Sequence, residues 1–416
     1  MDDVPAGPAS PGPRRPSLSV VVPVRDGGRD FERCLRRLRD SALTDFELIV
    51  VDDGSTDNSA AVAEQAGAVV VRLDRPQGPA AARNRGAREA AAPLIFFLDA
   101  DVAVHPETLG RALVRFADDP GLSALFGSYD DTPQAHGLVS QYRNLLHHFV
   151  HQQGDFRNNI RPAHTFWTGC GVIRREVFLT FGGFDPWLYP RPAIEDIELG
   201  YRLTRAGHRI VLARDVQATH MKRWSLAEMI RTDIFRRGVP WMLLIRRSGT
   251  AETDLNVKAT QKLCVALTGL SLAVAAVGLL AAIARLPGAA GLMLAAAAGV
   301  AAIVSLNRAF FAFLTRRKGW RLAAAAIPLQ LVYYCCCGLS VVIAMTHWNL
   351  GRIHRLLTRR DTAVVPAPHL AIDRGEDSNG RPRRRRLLRR SVEETSHAET
   401  PKGAETQRGG TFRGDA

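Results

Sequence analysis

Two carboxylates two residues apart, Asp99 and Asp101, close the apolar run "PLIFFLDAD". Residues i and i+2 of an extended segment face the same side. Both acids would then aim at one point, where like charges repel unless a cation or a proton lies between them. A divalent metal suits such a pair. A second acidic pair, Asp52 and Asp53, ends "FELIVVDDGS". An acid there can accept from a ribose hydroxyl or a base N–H, or it can cap a helix, since "DDGSTD" is full of capping residues. A third pair, Glu195 and Asp196, stands just ahead of the helical pattern "IELGYRLTRAG". The helix dipole alone favours acids in that first turn.

The elements that must carry these residues alternate. "LSVVVPV", "FELIVVDDGS", "AVVVRL" and "PLIFFLDAD" read as strands, separated by helical stretches through "DFERCLRRLRDS", "STDNSAAVAEQAG" and "PAAARNRGAREAAA". Short Val/Ile/Leu/Phe strands with helical connectors predict a mostly parallel sheet covered on both faces. Ligands of such sheets gather at the carboxyl ends of the strands, and Asp52, Asp53, Asp99 and Asp101 fall there. Pro23 makes a rigid turn at the end of the first strand. Residues 105–225 are less regular and richer in glycine turns.

The 416-residue chain is 46% hydrophobic and 23% charged, which fits a folded protein with room for appendages. Residues 1–16 are rich in Pro, Gly and Ala and read as a disordered lead-in without the apolar run of a secretory signal. The net charge of +14 gathers near apolar spans and in the 351–416 tail, which carries "RPRRRRLLRR". Basic residues there mark a bilayer's cytoplasmic face or bind anionic lipid, so no nucleic-acid partner is expected. The six cysteines show no paired spacing and indicate neither a disulfide framework nor a zinc site.

Residues 226–260 mix Trp, Phe and Leu with Arg and Lys, as interfacial helices do; an amphipathic helix packed on the domain is the alternative. Runs at 263–284, 286–306 and 322–345 each reach the roughly 20 apolar residues a span needs, within a 261–350 membrane region. The last contains Gln330 as its strongly polar member. The loop between the first two holds Arg285 alone, whereas the next holds Arg308, Arg316, Arg317, Lys318 and Arg321. That asymmetry places the second loop and the N-terminal domain in the cytoplasm of a multi-pass cell-membrane protein. Three spans send the tail outside, yet it begins with Arg352, Arg355, Arg359 and Arg360. Either the third span is re-entrant or the first helices set the orientation.

"VVPVRD", "VVDDGSTD", "GPAAARNRGA" and "FLDAD", followed by "TGCGVIRREVFLTFGGFD", "IEDIELGYRLTRAGHRI" and "HMKRW", resemble a family 2 glycosyltransferase of the GT-A fold. The resemblance covers about residues 17–225, in the family's order. It implies an α/β domain that binds a nucleotide-sugar donor through Pro23, Val24, Asp52, Asp53, Arg83, Asn84 and Asp99, with the Arg83 guanidinium toward the diphosphate. It implies Mg²⁺ or Mn²⁺ on Asp99 and Asp101, with His220 completing the site. It makes Glu195 and Asp196 catalytic, Asp196 as the general base of an inverting displacement, and sets Trp167, Gly169 and Cys170 at the acceptor pocket. The spans point to a lipid-linked or membrane-associated acceptor in cell-envelope glycan or glycolipid synthesis.

Two rivals stand beside this reading. A polyprenyl-phosphate acceptor is already ionised and needs no base, against which "IED" argues. A non-catalytic membrane scaffold would have no use for the acids at 99, 101 and 196. The topology has its own test. Labelling intact cells from outside should reach a cysteine placed at Gly288 and miss one at Gly319; the reverse pattern would turn the domain away from cytosolic donors.

Overall fold

A computed structural model describes residues 15–249 and 259–357. The expected disordered lead-in and basic tail lie almost wholly outside these described residues, as does the segment 250–258. Strands β1 (Leu18–Val24), β2 (Phe46–Asp52), β3 (Val69–Arg72) and β4 (Leu94–Leu98) pair in parallel in the order β3-β2-β1-β4. The sheet then becomes mixed. It continues β8-β6-β9-β5 through β5 (Val102–Val104), β6 (Leu122–Tyr129), β8 (Cys170–Arg174) and β9 (Arg209–His220), with β7 (Ile160–Ala163) also on β9. β8 runs antiparallel to both β4 and β6, and β9 runs parallel to β6 but antiparallel to β5 and β7. The parallel expectation therefore holds for the first four strands.

Successive side chains of a strand point to opposite faces, and here both faces are buried. Val20, Val22, Phe96 and Leu98 join one core with Phe31, Leu35 and Leu38 of helix Gly28–Arg39 and Leu109 and Phe116 of helix Thr108–Asp118. Val21, Ile95 and Phe97 join the other, with helices Pro79–Glu89 and Glu195–Arg205. A Cβ at Gly86 would run into the Val21 side chain. Helix Pro79–Glu89, which bears Arg83, thus lies close on β1.

Beyond the sheet come helix Leu226–Arg231, a π-helical turn Thr232–Gly238 and helix Val239–Ser248. Both the π turn and the last helix pack on the third apolar helix, so these segments are buttresses between sheet and spans. Three apolar helices, Ala259–Ile283, Ala289–Leu306 and the 38-residue Trp320–Leu357, are long and apolar enough to cross a membrane. The third is one continuous helix. The arginine-rich loop is itself helical, Arg308–Lys318, and packs on helix Leu138–His151 of the sheet domain. Phe310, Phe311 and Leu314 meet Tyr142 and Leu145 there, and Arg317 pairs with Asp131.

One hydrogen bond ties the domain to the third span. Tyr142 Oη–H donates to Gln330 Oε1 at 2.9 Å, and the two residues are 0% and 2% exposed. The polar residue of the span is therefore spent on the junction. Tyr142→Phe leaves the amide oxygen buried and unpaired, which costs about 1–3 kcal/mol. The thermal midpoint of the detergent-solubilised chain should fall, and adding Gln330→Leu should restore much of it. Equal midpoints for wild type and Tyr142→Phe would deny the bond any part in the junction.

Candidate active site

The two acidic motifs meet on one guanidinium. Arg83, 5% exposed, donates from Nη2 to Asp99 Oδ1 at 2.6 Å and from Nη1 to Glu195 Oε1 at 2.9 Å. Burial works against its charge, but Asp99 and then Glu195 hold the Arg83 guanidinium above its ordinary value. Glu195, 4% exposed, spends its other oxygen on the Ala193 N–H at 2.9 Å. Two expectations change here. Arg83 is engaged by protein carboxylates, and Glu195 is a fully partnered anchor rather than a group free to move a proton.

Asp196, next to it at the start of helix Glu195–Arg205, is different. Its Oδ2 accepts from the Thr168 N–H at 3.1 Å and the Thr168 hydroxyl at 3.3 Å, and its Oδ1 from the Ile197 N–H at 2.8 Å. Burial, and then the Glu195 carboxylate beside it, push the Asp196 carboxyl up to about 6. A carboxylate raised that far is a stronger base, yet it remains ionised at neutral pH.

Asp99 and Asp101 are not held as neighbours on an extended strand. They lie in the turn between β4 and β5, closed by the Val102 N–H donating to the Asp99 carbonyl at 3.0 Å. Their partners differ, because β5 pairs antiparallel with the end of β9 and sets Val102 opposite His220. His220 Nε2 comes 3.6 Å from Asp101 Oδ2, while Nδ1 lies 2.7 Å from Asn144 Oδ1. With the Nδ1–H donated to Asn144, a neutral imidazole turns its Nε2 lone pair toward the Asp101 carboxylate. Two electron-rich atoms so placed suit a cation between them, and an outer partner of this kind fixes the tautomer of metal-ligating histidines. His220 also stacks on Tyr129, with ring centroids 4.2 Å apart and planes 5° from parallel. Among the described residues no three His, Cys, Asp or Glu side chains converge on one point. A small donor set of this kind fits Mg²⁺-like ions, which keep waters and take phosphate oxygens as further ligands.

Other expected residues turn to the fold instead. Asp53, 5% exposed, accepts from the Gln77 and Gly78 N–H groups at 2.6 and 2.8 Å, just before helix Pro79–Glu89. Asp52 accepts from Ser55 N–H at 2.9 Å. Both carboxylates hold turns, and neither caps the helix Ser59–Gln65 that follows the motif. Asn84 clamps Phe184 by its N–H and carbonyl, at 2.9 and 2.7 Å. Val24 is core, and its carbonyl accepts the Asp53 N–H at 2.8 Å, while Pro23 stands one residue earlier, level with Val51 of β2. Cys170, 1% exposed on β8, packs in the core, where burial and then Asp99 push its thiol up to about 12. A Cβ at Gly169 would overlap the Trp167 ring, so that glycine seats the tryptophan. Neither Gly169 nor Cys170 lines the cavity that Trp167 and Thr168 line.

Arg83, Asp99, Asp101, Trp167, Asp196 and His220 all line one cavity of about 540 Å³. Sequence reasoning missed Tyr129, Asn144 and Thr168. Thr168 sits inside a quoted motif, but Asn144 lies on a helix whose pattern carried no signal of a site.

Comparison with known proteins places this geometry. Residues 19–181 match the family described as Glycosyl transferase family 2. The validoxylamine A glucosyltransferase of Streptomyces hygroscopicus subsp. jinggangensis is 31% identical over 267 residues, covering 55% of this chain and 62% of that protein. The glycosyltransferase AglE of Haloferax volcanii is 26% identical, over 50% of this chain and 68% of that one. The chain thus spans somewhat under two thirds of the first relative's length. Among solved structures, the mannosyltransferase PcManGT of Pyrobaculum calidifontis, in complex with GDP-Man and Mn²⁺, superposes with a TM-score of 0.53 at 21% identity, over 76% of this chain and 87% of that one. A likeness at that identity speaks to the fold. Residues 19–181 thus carry a glycosyl transferase family 2 match on a sheet domain of GT-A-like fold, with three apolar helices on its C-terminal side.

Proposed function

We propose that this chain is an inverting, metal-dependent glycosyltransferase that moves a sugar from a nucleotide-sugar donor to a hydroxyl of a lipid-linked or membrane-associated acceptor. The observation that carries the reading is Asp196, a carboxyl pushed up to about 6 in the cavity that Asp99, Asp101 and His220 also line. The bound GDP-Man and Mn²⁺ of the Pyrobaculum protein support a nucleotide-sugar donor and a divalent ion.

In this mechanism Asp196 takes the proton from the acceptor hydroxyl as that oxygen attacks the anomeric carbon. The bond to the nucleoside diphosphate breaks on the opposite face, so the configuration inverts. Thr168 fixes the Asp196 carboxylate, and Arg83 holds the helix that bears it to the Asp99 turn. Asp101 and His220 would hold Mg²⁺ or Mn²⁺, with waters and donor phosphate oxygens as further ligands. The ion supplies Lewis-acid stabilisation of the charge gathering on the departing diphosphate. The domain faces the cytoplasm, the side of the arginine-rich helix packed upon it.

The test uses the whole chain in detergent with a panel of nucleotide sugars. Donor hydrolysis and transfer should require Mg²⁺ or Mn²⁺, with an acid limb near pH 6, where Asp196 gains its proton. The limb falls on the acid side because a base must be unprotonated. Asp196→Asn should retain donor binding, lose that limb and slow transfer by about 10²–10⁴-fold, the scale of lost general-base catalysis. Undiminished turnover in excess chelator would remove the metal. Full activity of Asp196→Asn would favour an acceptor already ionised, and a product keeping the donor's configuration would end the single-displacement reading.

A further inference from the structure

The cavity does not stop at the catalytic acids. It is also lined by Tyr333, Cys337 and Ser340 of the third apolar helix and Val265 of the first, and between them lies the π-helical turn Thr232–Gly238. A Cβ at Gly238 would collide with Ser340 Oγ, so this turn is seated directly on the third helix. π-helical insertions are frequent at functional sites.

Polar groups without partners gather there. Trp224 Nε1, Thr232 Oγ1 and Asp233 Oδ2 are each buried and find no hydrogen bond among the described residues. Thr232 and Asp233 are both 6% exposed. The other Asp233 oxygen pairs with Arg143, a buried ion pair that anchors the turn to helix Leu138–His151. Lys222, against the Trp224 ring, pairs with Glu228 at 3.1 Å. Arg237, half-buried in the same wall, makes no ion pair or hydrogen bond with the described residues. Burial, and then neighbouring Arg143, hold its guanidinium below the ordinary arginine value. The carboxylate that most favours its charge, Asp233, is already paired with Arg143.

A guanidinium, an indole N–H and a hydroxyl that all lack partners want an anion rich in acceptor oxygens, and orphaned buried groups of this kind are otherwise costly. Phosphate meets that description, and guanidinium is its geometric match. The tyrosines and aliphatic side chains of two membrane helices on the same cavity suit hydrocarbon. We propose that this wall is the seat of a lipid-borne phosphate. Arg237, Trp224 and Thr232 hold the phosphate joining an isoprenoid or acyl chain to the hydroxyl-bearing headgroup, and the chain leaves along the first and third helices. The inference rests on the transferase reading for the role of that lipid as acceptor. The donor's diphosphate is the competing source of phosphate, and it belongs beside Asp99 and Asp101.

Binding separates the two. The full chain in detergent is titrated with decaprenyl phosphate, with decaprenol and with a nucleoside diphosphate plus Mn²⁺, and each complex is followed by native mass spectrometry. Wild type should prefer the lipid phosphate over the alcohol by about tenfold or more, the scale of a charge-assisted hydrogen bond. Arg237→Gln should erase that preference and leave nucleotide affinity unchanged, while Arg237→Lys should keep part of it. If Arg237→Gln fails to fold, Trp224→Phe and Arg237→Lys are read for the same ratio. Exposed Arg316→Gln should change nothing, which excludes general attraction of anionic lipid to a basic surface. Equal affinity for phosphate and alcohol in wild type would overturn the proposal. So would a variant that loses nucleotide binding while keeping the lipid preference. Lipid-phosphate preference in a chain with no nucleotide-sugar turnover would keep this site and sink the transferase reading instead.

Discussion

A single buried guanidinium holds the two acidic motifs of the cavity together. Arg83 reaches Asp99 at one strand end and Glu195 at the start of a helix 112 residues later in the chain. Two carboxylates drawn toward one cavity would repel without it. Removing one partner of a buried, hydrogen-bonded pair is costly because it leaves the other charge uncompensated. The close approach of helix Pro79–Glu89 to β1, permitted by Gly86, sets where that guanidinium can be. The positions of the Asp99 turn and of Asp196 follow from this contact.

A second constraint is topological. The switch from parallel to antiparallel pairing at β8 turns the last long strand so that its end runs beside β5. Only that arrangement brings His220 to Asp101 across 118 intervening positions. Sequence order alone carries no such proximity, and the resemblance to a family supplied it. The outer support from Asn144 was illegible, because an asparagine within an apolar helix pattern resembles any other polar residue on a half-buried face.

What was legible had strong local chemistry. The first four strands, the three apolar helices and the acids at strand ends follow from side-chain period and from the composition of each run. Other motif residues serve the fold. Asp53, Asn84, Gly169 and Cys170 sit in motifs that surround the site, and their side chains secure the backbone that shapes it. Asp53 caps the residues before a helix, Asn84 clamps Phe184, and Gly169 makes room for an indole ring. A motif records which residues are needed together, but not which of them touch the reactants. Gln330 is the reverse case: a polar residue in an apolar run proved to be the partner of Tyr142.

The third apolar helix furnishes a wall of the same cavity that Asp99, Asp101 and Asp196 line. In many membrane-bound enzymes the hydrophobic segment is a tether that another of equal length could replace. Here the tether is part of the vessel. A catalytic domain grafted onto a foreign anchor would keep its sheet and its acids, yet its reaction chamber would stand open on one side. Sheet domain and apolar helices are therefore expected to change together as such chains diverge, each constrained by the shape of the other.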